Sequence, residues 1–154
     1  MRLSRKTDYA LRILFALADR WGQGPVPMST LAVENEVPKK FLEHIMLDLK
    51  AQGWVDSTTG RTGGYVLAVP PARITLGQVV RHFDGLIAPI GCVSVSDFEG
   101  CSQSGKCRFR RVLLEIRNLT AAYLDNATLA RVATNAPVAD REVFSLALVS
   151  GDGI

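Results

Sequence analysis

Apolar positions in the first half of the chain recur at helical spacing, in short runs separated by turn-forming residues. Leu11, Leu14, Phe15 and Ala18, widened by Ile13 and Leu17, predict a helix over residues 4–20 with Ser4 as its cap. GQGPVP at 22–27 is a loop. Ser29 is placed to cap a short helix through Glu36 that buries Leu31, Ala32 and Val33. Pro38 suits the first turn of a further helix, in which Phe41, Leu42, Ile45, Met46 and Leu49 share one face until Gly53 stops it. Trp54-Val55 and Tyr65-Val66-Leu67 predict two short strands, with TTGRTGG at 58–64 as the hairpin tip. Pro70-Pro71 is a boundary, and Leu76, Val79, Val80 and Phe83 mark another helix. From Arg108 a long helix begins, whose Phe109, Val112, Ile116, Leu119 and Tyr123 form a heptad seam broadened by Leu113 and Leu124. A helix lying on its own core and a helix paired with its symmetry mate both produce such a stripe. Thr128–Val132 predicts a short terminal helix; the apolar segment Val143–Val149 has no assigned partner.

Helix, short helix, tight turn, helix and β-hairpin follow one another in the order of a winged helix-turn-helix. The expected fold is mainly α with a small hairpin wing, followed by a long dimerisation helix. Residues 1–70 form the DNA-binding domain, 71–107 a connecting helix and cysteine loop, 108–133 the dimerisation and terminal helices, and 134–154 a tail without assigned role. In such a domain the second helix of the pair enters the major groove, which brings Pro38, Lys39, Lys40, Glu43 and His44 to the bases. Lys39 and Lys40 stand at a helix start, where the dipole disfavours cations, so they suit phosphate or guanine contacts. Glu43 either accepts from a cytosine amino group or repels phosphate, and His44 either meets a base edge or is a plain surface residue. Arg61 tops the glycine-rich hairpin beside Gly63 and Gly64, and Arg2, Arg5, Lys6 and Ser29 complete the candidate DNA surface. The basic run Lys106, Arg108, Arg110 and Arg111 reads as a solvated helix face beyond the wing.

Composition narrows the function classes. With 154 residues and 47% hydrophobic content, the chain has enough apolar material for a core and is not a disordered tail. A net charge of +3 permits nucleic acid as a partner without demanding it. No apolar run approaches the ~18 residues of a membrane span, and no signal-peptide core follows the basic start, so a cytoplasmic protein is expected. No nucleophile triad, phosphate-binding glycine loop or paired-carboxylate motif suggests an enzyme.

All three cysteines fall in one polar, glycine-punctuated stretch, Cys92, Cys101 and Cys107. Such thiols, presented on a loop, suit iron–sulfur or zinc chemistry. Neither interval fits the close pairs of structural zinc sites. The spacing leaves open a cluster, a cluster-free thiol-redox sensor, or a winged helix used for protein contacts alone.

The opening MRLSRKTDYALRIL, the segment PVPMSTLA, the helix FLEHIMLDLKAQGWV, the wing GRTGGYVLA, ITLGQVV before the cysteines and YLDNATLA after them together resemble the IscR–NsrR–RirA family of bacterial winged-helix regulators. The resemblance spans about residues 1–133. It implies a homodimer held by the long helix, a palindromic operator, and an iron–sulfur cluster, 4Fe–4S or 2Fe–2S, that reports nitric oxide, iron or redox state, most simply in a repressor. Some members lack the cysteines and bind no cluster; here all three are retained. Three thiols leave one cluster position open, for Asp8, His82, Asp97, Glu99, His44 or a small molecule, of which His44 is set aside because it belongs to the DNA-facing helix. Nitric-oxide-sensing relatives carry an aspartate in the same T-D-Y setting, which implies Asp8 as the fourth ligand, reaching the partner subunit's cluster. An oxygen ligand binds iron more weakly than thiolate and would leave that iron the reactive one.

Overall fold

The computed structural model describes residues 2–85 and 87–144. Helix α1 (Arg5–Ala18) is capped by Ser4, whose hydroxyl accepts from the Thr7 amide at 3.2 Å. Its Ala10, Ile13, Leu14 and Leu17 are buried, whereas Leu11, Phe15 and Ala18 of the expected stripe are only partly buried at its edge, so the buried face is rotated toward the widening residues Ile13 and Leu17. Helix α2 (Met28–Glu34) begins one residue before the expected cap: Pro27 occupies the cap position and Ser29 lies exposed inside the first turn. The cause is upstream, where Val26 is fixed in an antiparallel bridge to Tyr65, so the chain leaves extended geometry at Pro27. Helix α2 also stops short of Glu36, which takes φ +54° in the tight turn before α3 (Lys39–Ala51). Val33, expected among the buried residues of α2, is exposed.

In α3, Leu42, Ile45, Met46 and Leu49 are fully buried. Phe41 departs from that face: it is half-exposed and stacks edge-on against Tyr9 at 5.8 Å. Gly53, at φ +70°, turns the chain out of the helix into β1 (Val55–Thr58), which pairs antiparallel with β2 (Gly64–Leu67). Val55 pairs with Leu67 and both are buried, so the hairpin rests its base on the helices and projects its tip. The chain then makes a short turn at Pro71–Arg73 and enters α4 (Leu76–Asp84), whose Thr75–Gln78 capping box is complete. Asp84, at the far end of α4, accepts from the Ser4 amide at 3.0 Å. Burial pushes the Asp84 carboxyl up, but hydrogen bonds from Ser4 and Thr7 outweigh it and hold it below the usual range.

The long helix α5 (Arg110–Asn126) starts two residues later than expected, with Phe109 as its uncapped cap residue rather than a member of the seam within the helix. Its C-terminal end is tied to α4: Arg81 grips the Asp125 carboxylate through two bonds of 2.6 and 2.7 Å, which hold that carboxyl below its usual range. Gly77 permits this, since a Cβ there would strike the Asp125 carboxylate. The chain returns beside its exit point, where Thr75 bridges Thr128, and α6 (Leu129–Val132) drops Leu129 into the core. A further short helix, α7 (Asp140–Phe144), lies in the tail, to which the sequence assigns no element. Residues 145–149 of the apolar Val143–Val149 segment lie outside the described residues. No described helix is long and apolar enough to cross a membrane.

Candidate nucleic-acid interface and cysteine site

The outer face of α3 gathers the predicted recognition residues. Pro38, Lys39, Lys40, Glu43 and His44 are all exposed, because the helix spends its apolar face on α1 and the hairpin. Leu47 shares this outer face and is 66% exposed, although its type alone would place it in the core. An aliphatic side chain there suits a thymine methyl group. Arg61 stands exposed at the hairpin tip, beside Gly60 at φ +110°. Gly63 and Gly64 are required by close approach: a Cβ on either would collide with backbone, of Thr58 and of Val26 respectively. Arg2 and Arg5 are exposed. Lys6 is drawn inward, pairing with Asp48 at 2.7 Å and lying 5.3 Å from the Phe83 ring centre, so it also fastens α1 to α3 and α4.

The three thiols line one cavity of about 520 Å³ at the N-terminal end of α5. Cys92 is buried, Cys107 half-buried and Cys101 exposed. The Arg110 side chain donates to the Cys92 carbonyl at 3.2 and 2.8 Å, which fixes the loop to the first turn of α5. Gly91 lets the Glu99 side chain fold against the same turn, and neither Asp97 nor Glu99 lines the thiol cavity. Among the described residues, no three of His, Cys, Asp and Glu are gathered closely enough to hold a metal ion. His82 is exposed and engaged with the rings of Trp54 and Phe83. Asp8 is held by Arg12 through bonds of 3.1 and 2.8 Å. Phe109 at the cap of α5 and Val112, Ile116, Leu119 and Tyr123 along it are all exposed, Tyr123 by 79%, and the helix buries no residue of its own.

A family model described as Rrf2, an iron-dependent transcriptional regulator, matches residues 3–135. The chain belongs to the Rrf2 family. An rrf2-like HTH-type transcriptional regulator of Rhodobacter capsulatus is 37% identical over 133 residues, covering 82% of this chain and 89% of that protein. The HTH-type transcriptional regulator CymR of Bacillus subtilis is 33% identical over 134 residues, covering 87% and 91%. Its solved structure, described as the global cysteine regulator, superposes with a TM-score of 0.74 at 29% identity, covering 89% and 99% of the two chains. The IscR of T. potens gives 0.68 at 26% identity, covering 90% and 94%. Rrf2 membership makes this chain a winged-helix transcriptional regulator and places it outside the enzymes. In this Rrf2 chain the wing order read from the sequence is therefore the fold of a DNA-binding regulator.

Proposed function

We propose that the chain binds operator DNA as a homodimer and represses transcription, with an iron–sulfur cluster on Cys92, Cys101 and Cys107 setting its DNA affinity. The observation that carries this reading is the shared cavity: three cysteines from separate points of an irregular loop border one space of cluster size, though they are not yet gathered closely enough to ligate. Three soft donors with no carboxylate in the cavity wall suit iron–sulfur chemistry, and the loop between Val93 and Arg110 has no regular structure to resist drawing them together. When bound, the cluster supplies redox and ligand-exchange chemistry at iron. Arg110 holds the Cys92 backbone in place, and Lys39, Lys40, Glu43, His44 and Arg61 carry the DNA contacts.

Anaerobically purified protein should show broad visible absorption near ~400 nm or split bands at longer wavelength, with stoichiometric iron and sulfide. Replacing all three cysteines by Ser should abolish the absorption and the response of DNA binding to nitric oxide or oxygen. A triple variant that keeps both would overturn the assignment. A cluster-free thiol switch is the second reading, favoured by the exposed Cys101 beside two less accessible thiols. A relative from Staphylococcus aureus, 27% identical, has been solved as CymR in an oxidized form. Iron-free protein whose DNA affinity changes on oxidation, with a matching loss of free thiol, would select that reading.

For the fourth position we assign Asp8 of the partner subunit. The first turn of α1 is pinned to α4 through Ser4 and Asp84, which fixes where Asp8 stands; ligation requires its carboxylate to leave Arg12. Asp8→Ala should alter the cluster spectrum or speed its loss while sedimentation still reports a dimer. An unchanged spectrum and decay rate would move the search to His82, Asp97 or Glu99. At the wing, Arg61→Ala should weaken operator binding by ~1–3 kcal/mol if the side chain enters a groove. Equal affinity at moderate salt would remove Arg61 from the interface.

A further inference from the structure

Behind the thiol cavity lies a second one of about 530 Å³, between the cysteine loop and the inner face of α5. Arg108, Arg110, Arg111 and Arg117 line it, and no acidic residue does. Among the described residues, Arg108, Arg111 and Arg117 form no ion pair. The Arg117 Nε is buried and has no hydrogen-bond partner within the protein. A buried donor on a charged group without an acceptor is costly to fold around. The start of α5 adds a second, independent strain: it has no side-chain cap and no acidic residue in its first turn, and its arginines face the positive end of the helix dipole. One multiply charged anion at this point would accept from Arg117, balance the guanidinium cluster and satisfy the open amides of the helix.

We infer that this cavity binds an organic phosphate. Besides Arg110, which already donates to the Cys92 carbonyl, three arginines line the cavity, more than the two oxygens of a carboxylate can serve, whereas a phosphate dianion presents three terminal oxygens. The apolar part of the ligand has its own wall in Val95, Phe98 and Leu114, of which Val95 is 81% exposed and Phe98 63% exposed. No residue of α3 or of the wing lines the cavity, which separates it from the DNA-reading surface. Cys92 and Cys107 lie in the walls of both cavities, so a ligand here acts on the loop that holds the thiols. The site does not depend on the cluster, and it gives the regulator a second input beside the thiols.

Titration of chelator-stripped wild-type protein with phenyl phosphate, inorganic phosphate and phenyl sulfate at constant ionic strength tests the inference by calorimetry. Phenyl phosphate should bind saturably, about tenfold tighter than inorganic phosphate because the ring gains the apolar wall. It should also bind more tightly than the monoanionic sulfate ester. Arg117→Gln should weaken it about tenfold. Arg111→Ala, at an exposed position where folding is not at stake, should weaken it several-fold. Both variants should sediment as the parent does and bind sonicated duplex DNA with an unchanged salt slope. Absence of saturable phenyl phosphate binding, or equal affinity in both variants, would overturn the site. A salt slope lowered by about one per arginine would assign these side chains to DNA phosphates instead. Dissociation of the variants into monomers would assign them to the partner subunit.

Discussion

Ile116→Asp should yield a folded monomer that no longer holds its operator. In a single chain Ile116 is 45% exposed and α5 buries nothing, so an aspartate there meets water and leaves the subunit folded with helicity close to the parent value, its melting temperature falling only by what the dimer contributed. In a dimer built on the Phe109–Tyr123 seam, the same substitution places an unpaired charge in an apolar contact, once in each subunit by symmetry. Stranding one such charge costs about 3–5 kcal/mol, and two of them per dimer raise the dissociation constant by ~10⁴-fold or more. Operator affinity should fall with it, because a monomer engages only one half-site. Sedimentation equilibrium across a dilution series checks the first effect and gel shift at fixed salt the second. A variant that remains dimeric at low concentration would place the interface elsewhere.

Gly64→Ala should cripple the wing. The added methyl would run into the carbonyl of Val26 and come within 2.9 Å of the Pro27 nitrogen, both rigid backbone. Those atoms belong to the bridge in which Val26 and Tyr65 exchange amide–carbonyl bonds of 2.9 Å in both directions. Opening the bridge exposes buried Val26 and strands two polar pairs, so a loss of about 2–4 kcal/mol is expected. Gly60→Ala is the control: nothing lies within 4 Å of its Cβ position, and only its φ of +110° penalises the substitution. A smaller loss is expected there. Thermal unfolding of the two variants side by side decides the matter; equal melting temperatures would show that the bridge contributes little.

Local periodicity carried the fold a long way. The helical extents of α1 and α3, the buried face from Leu42 to Leu49, the Ser4 cap, the break at Gly53 and the paired strands are properties of short segments, and each forms close to where its own residues place it. The misreadings have tertiary causes. Ser29 has ideal capping chemistry, but the Val26–Tyr65 bridge sets where α2 begins. Phe41 has core spacing, but its ring stacks on Tyr9 at the surface. Leu129 gives no sign in the sequence of crossing back into the winged-helix core, since its partners around Ile74 are far away along the chain. At the site, cysteine clustering was visible as composition, and their common cavity follows from the loop. The arginines read as a solvated face because run-based reasoning cannot see Arg117 joining Arg108, Arg110 and Arg111 from two turns further on.

Both ends of α5 are fastened within one subunit, the first turn to the cysteine loop through Arg110 and the last to α4 through Asp125. A helix of 17 residues fastened in this way behaves mechanically as a rigid lever about 25 Å long. A displacement of ~1 Å at the thiol end, pivoting on the Arg81–Asp125 post, tilts it by roughly 2°. In the proposed homodimer, two-fold symmetry would double that to about 5° between subunits, applied to recognition elements that would span half-sites about 34 Å apart. On the proposed function, ångström-scale chemistry at sulfur would thereby be geared into a change of span that the spacing of a DNA helical repeat can register.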